Sequence, residues 1–164
     1  MLELVLEVLA IEAEAVAISA NGDPSRFAAF GRPVLPDGEF AGSGPLAGVL
    51  AGLDWAAGLG AEALLTVPGD TPFVRAGLAA ALSPAPACAE SSGTRHYLVA
   101  LWPVAVRSAL RSMLSAGGPR AVGRFASEIG MRPVVFQTLP CDPFLNVNTP
   151  EELGAARAVA ENTA

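Results

Sequence analysis

Leu2, Val5, Leu6 and Leu9 recur at helical spacing with Glu3 and Glu7 between them, which predicts a helix over about 2–14. Residues 15–20 form a short apolar run of strand type, stopped by Asn21-Gly22-Asp23-Pro24, a dense turn signal. A brief helix around 25–30 and a strand near 33–35 follow. A loop over 36–44 leads to a helix over about 45–59, with Pro45 in the first turn, where a missing N–H has no intrahelical partner to lose. The unbroken apolar segment 62–67 predicts a strand buried on both faces. Beyond it the pattern predicts a helix over 74–82, a Pro- and Ser-rich loop over 83–93 and a strand over 97–101. Helices over 104–115 and 119–129, a strand over 133–136 and a terminal helix over 150–161 complete the pattern.

Strands separated by helical segments predict an α/β, Rossmann-like fold, a mostly parallel sheet with helices on both faces. A doubly wound sheet ordinarily opens on a strand, whereas this chain opens on a helix, so the first strand of the sheet is expected to be missing. With no long linker, repeat or low-complexity tail, residues 1–164 are expected to form a single domain.

Composition removes several classes of function. No window offers about 20 uninterrupted apolar residues, so no membrane span is expected. Met1-Leu2-Glu3-Leu4 lacks the basic start of a secretory leader. A net charge of −6 argues against a nucleic-acid surface. Cys88 and Cys141 form no CxxC, and with a single histidine they are too few for a structural zinc site. A cytoplasmic location is expected. All 10 basic residues are arginine, and the absence of lysine excludes a Walker phosphate loop and Schiff-base chemistry within this chain.

Candidate chemistry gathers where strands end. In Leu64-Leu65-Thr66-Val67-Pro68-Gly69-Asp70-Thr71-Pro72-Phe73 a strand stops at Pro-Gly, placing Asp70 just beyond its carboxyl end, where open α/β sheets bind ligands. A carboxylate there suits Mg2+ shared with substrate phosphates; alternatively, Asp70 caps a helix starting near Pro72. Asn21 and Asp37 end the two preceding strands, either as turn residues or as contacts to a base or ribose. Gly42-Ser43-Gly44-Pro45-Leu46-Ala47-Gly48 brings a helix N-terminus, suited to an anion, to the same edge. Gly48 and Gly52 allow close helix–sheet packing or close approach of a ligand. Near the C-terminus, Thr149-Pro150-Glu151-Glu152 is a capping box, which leaves Asn146 and Asn148 as turn formers or as a pair facing one ligand. His96 is expected to be an ordinary surface residue.

Gly44-Pro45-Leu46-Ala47-Gly48, Val67-Pro68-Gly69-Asp70-Thr71-Pro72 and Asn146-Val147-Asn148-Thr149-Pro150-Glu151-Glu152-Leu153 occur in the order and approximate spacing of the molybdenum cofactor guanylyltransferases. Ser19-Ala20-Asn21-Gly22-Asp23-Pro24 and Leu101-Trp102-Pro103-Val104 are similar to the same family, so the resemblance spans essentially the whole chain. It implies a nucleotidyltransferase that joins GMP from GTP to molybdopterin-bound molybdenum with Mg2+. It places Asn21, Asp37 and Asp70 at the nucleotide, Asp70 also as metal ligand and catalytic residue, and Asn146 and Asn148 at the pterin-side substrate. A monomer serving molybdoenzyme maturation proteins is the expected setting. The family opens with a strand, a Leu-Ala-Gly-Gly loop, an Arg-Met-Gly segment and a lysine, none of which this sequence contains. Two alternatives follow: a non-catalytic pterin-binding remnant or partner, and a cytidylyl or sugar-phosphate nucleotidyltransferase on the same architecture.

Overall fold

A computed structural model of the chain describes residues 1–117, 121–138, 141–149, 151, 152, 154 and 158. Helix α1 (Leu2–Glu12) buries Val5 and Leu6 and ends where Ala13 turns extended. Strand β1 (Ile18–Ser19) pairs in parallel with β2 (Val34–Leu35) in a sheet of two. The brief helix expected between them is a 3-10 helix, Pro24–Phe30. Asp23 caps it, accepting hydrogen bonds from the Ser25 N–H and hydroxyl, which hold its carboxyl below the usual carboxylate range.

A second sheet holds β3 (Ala63–Thr66), β5 (Thr94–Pro103), β4 (Ala87–Ser91) and β6 (Arg132–Val135), in that spatial order. β5 is antiparallel to both neighbours and β4 is parallel to β6, so three strands run one way and β5 alone is reversed. The mostly parallel reading therefore holds for strand direction, with one antiparallel strand the pattern did not announce. The cause is β4. Residues 83–93 read as loop, yet Ala87–Ser91 form a strand, and a tight hairpin at Ser92-Gly93, both at positive φ, turns it into β5. Ala-Cys-Ala carries almost no strand propensity. These small residues are fully buried between β5 and β6, so their neighbours fix the conformation.

Helix α2 (Pro45–Gly58) buries Leu46, Val49, Leu50 and Leu53 against this sheet. α3 is shorter than expected, Leu78–Leu82, and α4 (Arg107–Ser115) and α5 (Val122–Glu128) close the main core around Trp102. The terminal helix expected over 150–161 falls largely outside the described residues. Among the described residues no helix is long and apolar enough to cross a membrane.

β3 differs from expectation in burial: all four of its residues are half-buried. Among the described residues β1 and β3 are both edge strands, because no ladder joins the two sheets. Ile18 and Ala20 direct their N–H groups to β2, at 2.8 Å and 3.1 Å from Pro33 and Leu35 carbonyls, so the alternate residues Ala17 and Ser19 face away. The Glu62 carbonyl accepts from Val104 N–H at 2.8 Å in line with the β5 pairing, so Ala63, Leu65 and Val67 face away from β5. Both edges line one groove of about 1170 Å³, walled by Leu2, Val5 and Leu6 of α1 and by Gly48, Val49 and Gly52 of α2. Among the described residues no strand bridges β1 and β3 across this groove.

The core also contains a buried polar link. The Trp102 indole N–H donates to Thr66 Oγ1 at 2.8 Å, and the Trp102 side chain is fully buried. Thr66→Val should strand that donor and cost about 1–3 kcal/mol. Thr66→Ser, which keeps the hydroxyl, should recover most of the loss. Urea midpoints of the two variants check this.

Candidate active site at the sheet edge

Asn21 and Asp37, sixteen residues apart, bond each other reciprocally. Asn21 Nδ2 donates to Asp37 Oδ2 at 2.6 Å, and the Asp37 N–H donates to Asn21 Oδ1 at 2.9 Å. The pair joins the ends of β1 and β2 at the mouth of the groove. Asp37 is half-buried, and its loop is anchored from behind. Arg111 donates to Glu39 Oε1 at 2.9 Å and to Asp54 Oδ2 at 2.5 Å, with its guanidinium 5.9 Å from the Phe40 ring centre. Each of these exposed ion pairs contributes little alone, but together they tie the loop after Asp37 to α2 and α4.

Gly44, at φ +79°, turns the chain into α2, a conformation that L side chains rarely adopt. Four residues on, Gly48 brings the helix against β1, where an added Cβ would lie 2.6 Å from Ser19 Oγ and 3.5 Å from Asp37 Oδ1. At Gly52 the added atom would meet Leu64 of β3 at 2.8 Å. Packing therefore accounts for Gly52, whereas Gly48 lies against both the sheet and the candidate site.

Asp70 lies beyond β3. The turn that carries it is held by Thr71, whose hydroxyl donates to the Pro68 carbonyl at 2.8 Å. The alternative that Asp70 caps a following helix is not met, since α3 starts only at Leu78, after Gly77. Glu12 of α1 accepts from the N–H groups of Gly77 and Ala79 there. Among the described residues the Asp70 carboxylate enters no hydrogen bond or ion pair, so its lone pairs are uncommitted. Its carbonyl does have a partner, the Val147 N–H at 2.8 Å. That bond brings in Asn146 and Asn148, both exposed on either side of buried Val147, so they share one side of an extended segment. The expected capping box forms, with Glu152 Oε2 accepting from the Asn148 N–H at 2.7 Å and the Thr149 N–H at 3.3 Å, and the Glu152 N–H donating to Thr149 Oγ1 at 3.2 Å.

The structure thus joins Asn21 to Asp37 directly. Asp70 approaches the groove through its lining neighbours Pro68 and Gly69, and the two asparagines adjoin Asp70 through Val147. Among the described residues the charged groups lining the groove are Glu12, Glu14 and Asp37, with no arginine. An anionic ligand would need a cation brought with it. No group of three or more His, Cys, Asp or Glu able to hold a metal occurs among the described residues. Asp70 alone fits Mg2+, which takes one or two carboxylates and fills its other positions with water and phosphate.

Sequence reasoning missed two supports of this site. Arg111 carries no local signal, since its partners are 57 and 72 residues away. His96, expected at the surface, is half-buried, 2.7 Å from Ser91 Oγ and packed on Phe144.

Residues 1–129 match the model of the MobA-like NTP transferase domain, so the class defined by this fold and site is a nucleotidyltransferase. A molybdenum cofactor guanylyltransferase of Acidiphilium cryptum is 54% identical over 158 residues, covering 96% of this chain and 80% of the relative. One of Rhodobacter capsulatus is 51% identical over 158 residues, covering 93% and 80%. The chain belongs to the molybdenum cofactor guanylyltransferase family. The fold is also that of the molybdopterin-guanine dinucleotide biosynthesis protein A of Archaeoglobus fulgidus, with a TM-score of 0.69 at 17% identity over 98% of this chain and 85% of that one.

Proposed function

We propose that the chain transfers GMP from GTP to molybdopterin-bound molybdenum, with Mg2+ at Asp70. The observation that carries this is a half-buried carboxylate beyond a strand end, without a hydrogen-bond or ion-pair partner among the described residues. Its residue's backbone bonds the Asn146–Asn148 segment, and the neighbours Pro68 and Gly69 line the same groove as Asn21 and Asp37. Asn21 and Asp37 bind the guanine nucleotide: each fixes the other's orientation and leaves the remaining Asp37 oxygen to accept from a base or ribose donor. Asn146 and Asn148 hold the pterin-side substrate next to Asp70. An acceptor oxygen of that substrate attacks the α-phosphorus of GTP, and pyrophosphate leaves as the bond to the β-phosphate oxygen breaks. Such a transfer depends on positioning and charge stabilisation rather than on a protein nucleophile. Mg2+ held by Asp70 would supply positive charge beside the phosphates, which no described side chain lining the groove provides. On this reading the protein works as a cytoplasmic monomer and passes its product to molybdoenzyme maturation proteins.

The test is product formation from GTP and the molybdenum-loaded pterin, with pyrophosphate measured in equal amount. Calorimetry with GTP should show weak binding that tightens at least about tenfold on adding Mg2+, a gain of about 1.4 kcal/mol. Micromolar binding in the presence of a chelator would show that another group neutralises the phosphates. CTP or a sugar phosphate giving product in place of GTP would move the chain to another nucleotidyltransferase activity. The acidic groove favours a second reading, a pterin-binding partner without transfer activity. Retained pterin binding with no product at saturating GTP and Mg2+ would establish it.

A further inference from the structure

Ser91 closes β4 with its side chain buried, 1% exposed. Its Oγ lies 2.7 Å from His96 Nε2 and 2.8 Å from Asp142 Oδ2. The other Asp142 oxygen, Oδ1, accepts from the Phe144 N–H at 2.9 Å. The Phe144 ring sits 5.1 Å from the His96 ring and 5.1 Å from that of Phe136. Three residues further on, the Val147 N–H reaches the Asp70 carbonyl. Serine, histidine and aspartate also make hydrolase triads, but there the carboxylate holds the imidazole and the imidazole takes the serine proton. Here both groups converge on the hydroxyl, and the hydroxyl is buried. It is a junction, not a nucleophile.

We propose that the Ser91–His96–Asp142 junction holds the Asn146–Asn148 segment against the Asp70 loop, which makes these three the positioning residues of the pterin-side substrate. The substrate assignment rests on the guanylyl-transfer reading, whereas the docking of the segment does not.

The junction has a definite proton order. A hydroxyl carries one proton, and an ionised carboxylate only accepts. Ser91 therefore donates to Asp142, and His96 must donate to Ser91 from Nε2–H. Asp142→Asn reverses the order. Its carbonyl oxygen stays with the Phe144 N–H, so its NH2 faces Ser91. The hydroxyl then accepts from the amide and donates to the imidazole, whose Nε2 must be bare and whose Nδ1 carries the proton. The junction stays closed while the tautomer changes. Ser91→Ala instead opens it from both sides.

Nitrogen-15 NMR of the His96 ring and amide exchange at Val147, both on the full chain without substrate, read these states. The parent should show Nε2–H, and Asp142→Asn should show Nδ1–H with Val147 exchange within about threefold of the parent. In Ser91→Ala, Val147 exchange should accelerate by roughly tenfold or more, while Ala87 and Cys88 of β4 and Leu64 and Thr66, which face β5, keep their protection. With transfer measured, Ser91→Ala should raise KM for the pterin substrate about tenfold and KM for GTP by less than about twofold. Val147 exchanging at the parent rate in Ser91→Ala, or His96 remaining Nε2–H in Asp142→Asn, would overturn the junction. An equal rise in both KM values would overturn its assignment to the pterin side. A parent chain without transfer activity whose Val147 responds as described supports the junction and counts only against the transfer reading.

Discussion

Asp70→Asn is expected to lower guanylyl transfer by roughly 10²–10³-fold, the usual cost of losing one electrostatic stabiliser of the transferring group. The change keeps the size of the side chain and removes only its charge. Because the carboxylate bonds to nothing else among the described residues, unfolding free energy should move by no more than about 0.5 kcal/mol. The two effects separate the metal role from a structural one. If the variant kept parent turnover with the same Mg2+ dependence, Asp70 would not be the metal ligand. If it lost stability in step with activity, the residue would be serving the turn. Rates measured over a Mg2+ titration, beside melting curves, decide between these outcomes.

Filling the groove between β1 and β3 should have the largest effect on stability. A strand of about five apolar residues, fused ahead of Met1 through a short loop, would feed α1 and return through it to β1 by a right-handed crossover. Its backbone would pair with the free edges at Ala17 and Ser19 on one side and Ala63, Leu65 and Val67 on the other. Each buried apolar side chain contributes about 1.5–3 kcal/mol, against an ordering cost of about 1–2 kcal/mol per residue. A net gain of a few kcal/mol, at about 2–4 °C each in a protein of this size, raises Tm by roughly 10 °C. The Ser19, Ala63 and Leu65 amides should gain exchange protection, and association through open edges should fall. An insert with charged residues at alternate positions should give neither gain. A melting temperature unmoved by the apolar strand, with those amides still exchanging freely, would mean that the groove does not accept a strand.

Helices and their limits were largely legible because their signals are local. The spacing of Leu2, Val5, Leu6 and Leu9 places α1, and Pro45 with the preceding glycines places the start of α2. The arrest of β3 before Pro68-Gly69 is also local, since neither residue continues a ladder well. β4 was not legible. Ala87-Cys88-Ala89 has the composition of a helix or loop and becomes a strand only because β5 and β6 enclose it. The reversal of β5 follows from that same strand.

For the site, residue chemistry and strand-end placement were sufficient to single out Asn21, Asp37, Asp70, Asn146 and Asn148. The sequence by itself determined which polar groups stand at strand ends, the absence of any lysine, and the capping box at Thr149. Those features depend on composition and on neighbours within a few residues. Only the tertiary structure decided that Asn21 and Asp37 bond each other, that Arg111 braces the loop behind them, and that Ser91, His96 and Asp142 meet on one buried hydroxyl. These contacts join residues up to 72 positions apart in the chain. Local periodicity carries no information at that range, because such pairs meet only when burial of the apolar faces of α1, α2 and α4 has brought their elements together.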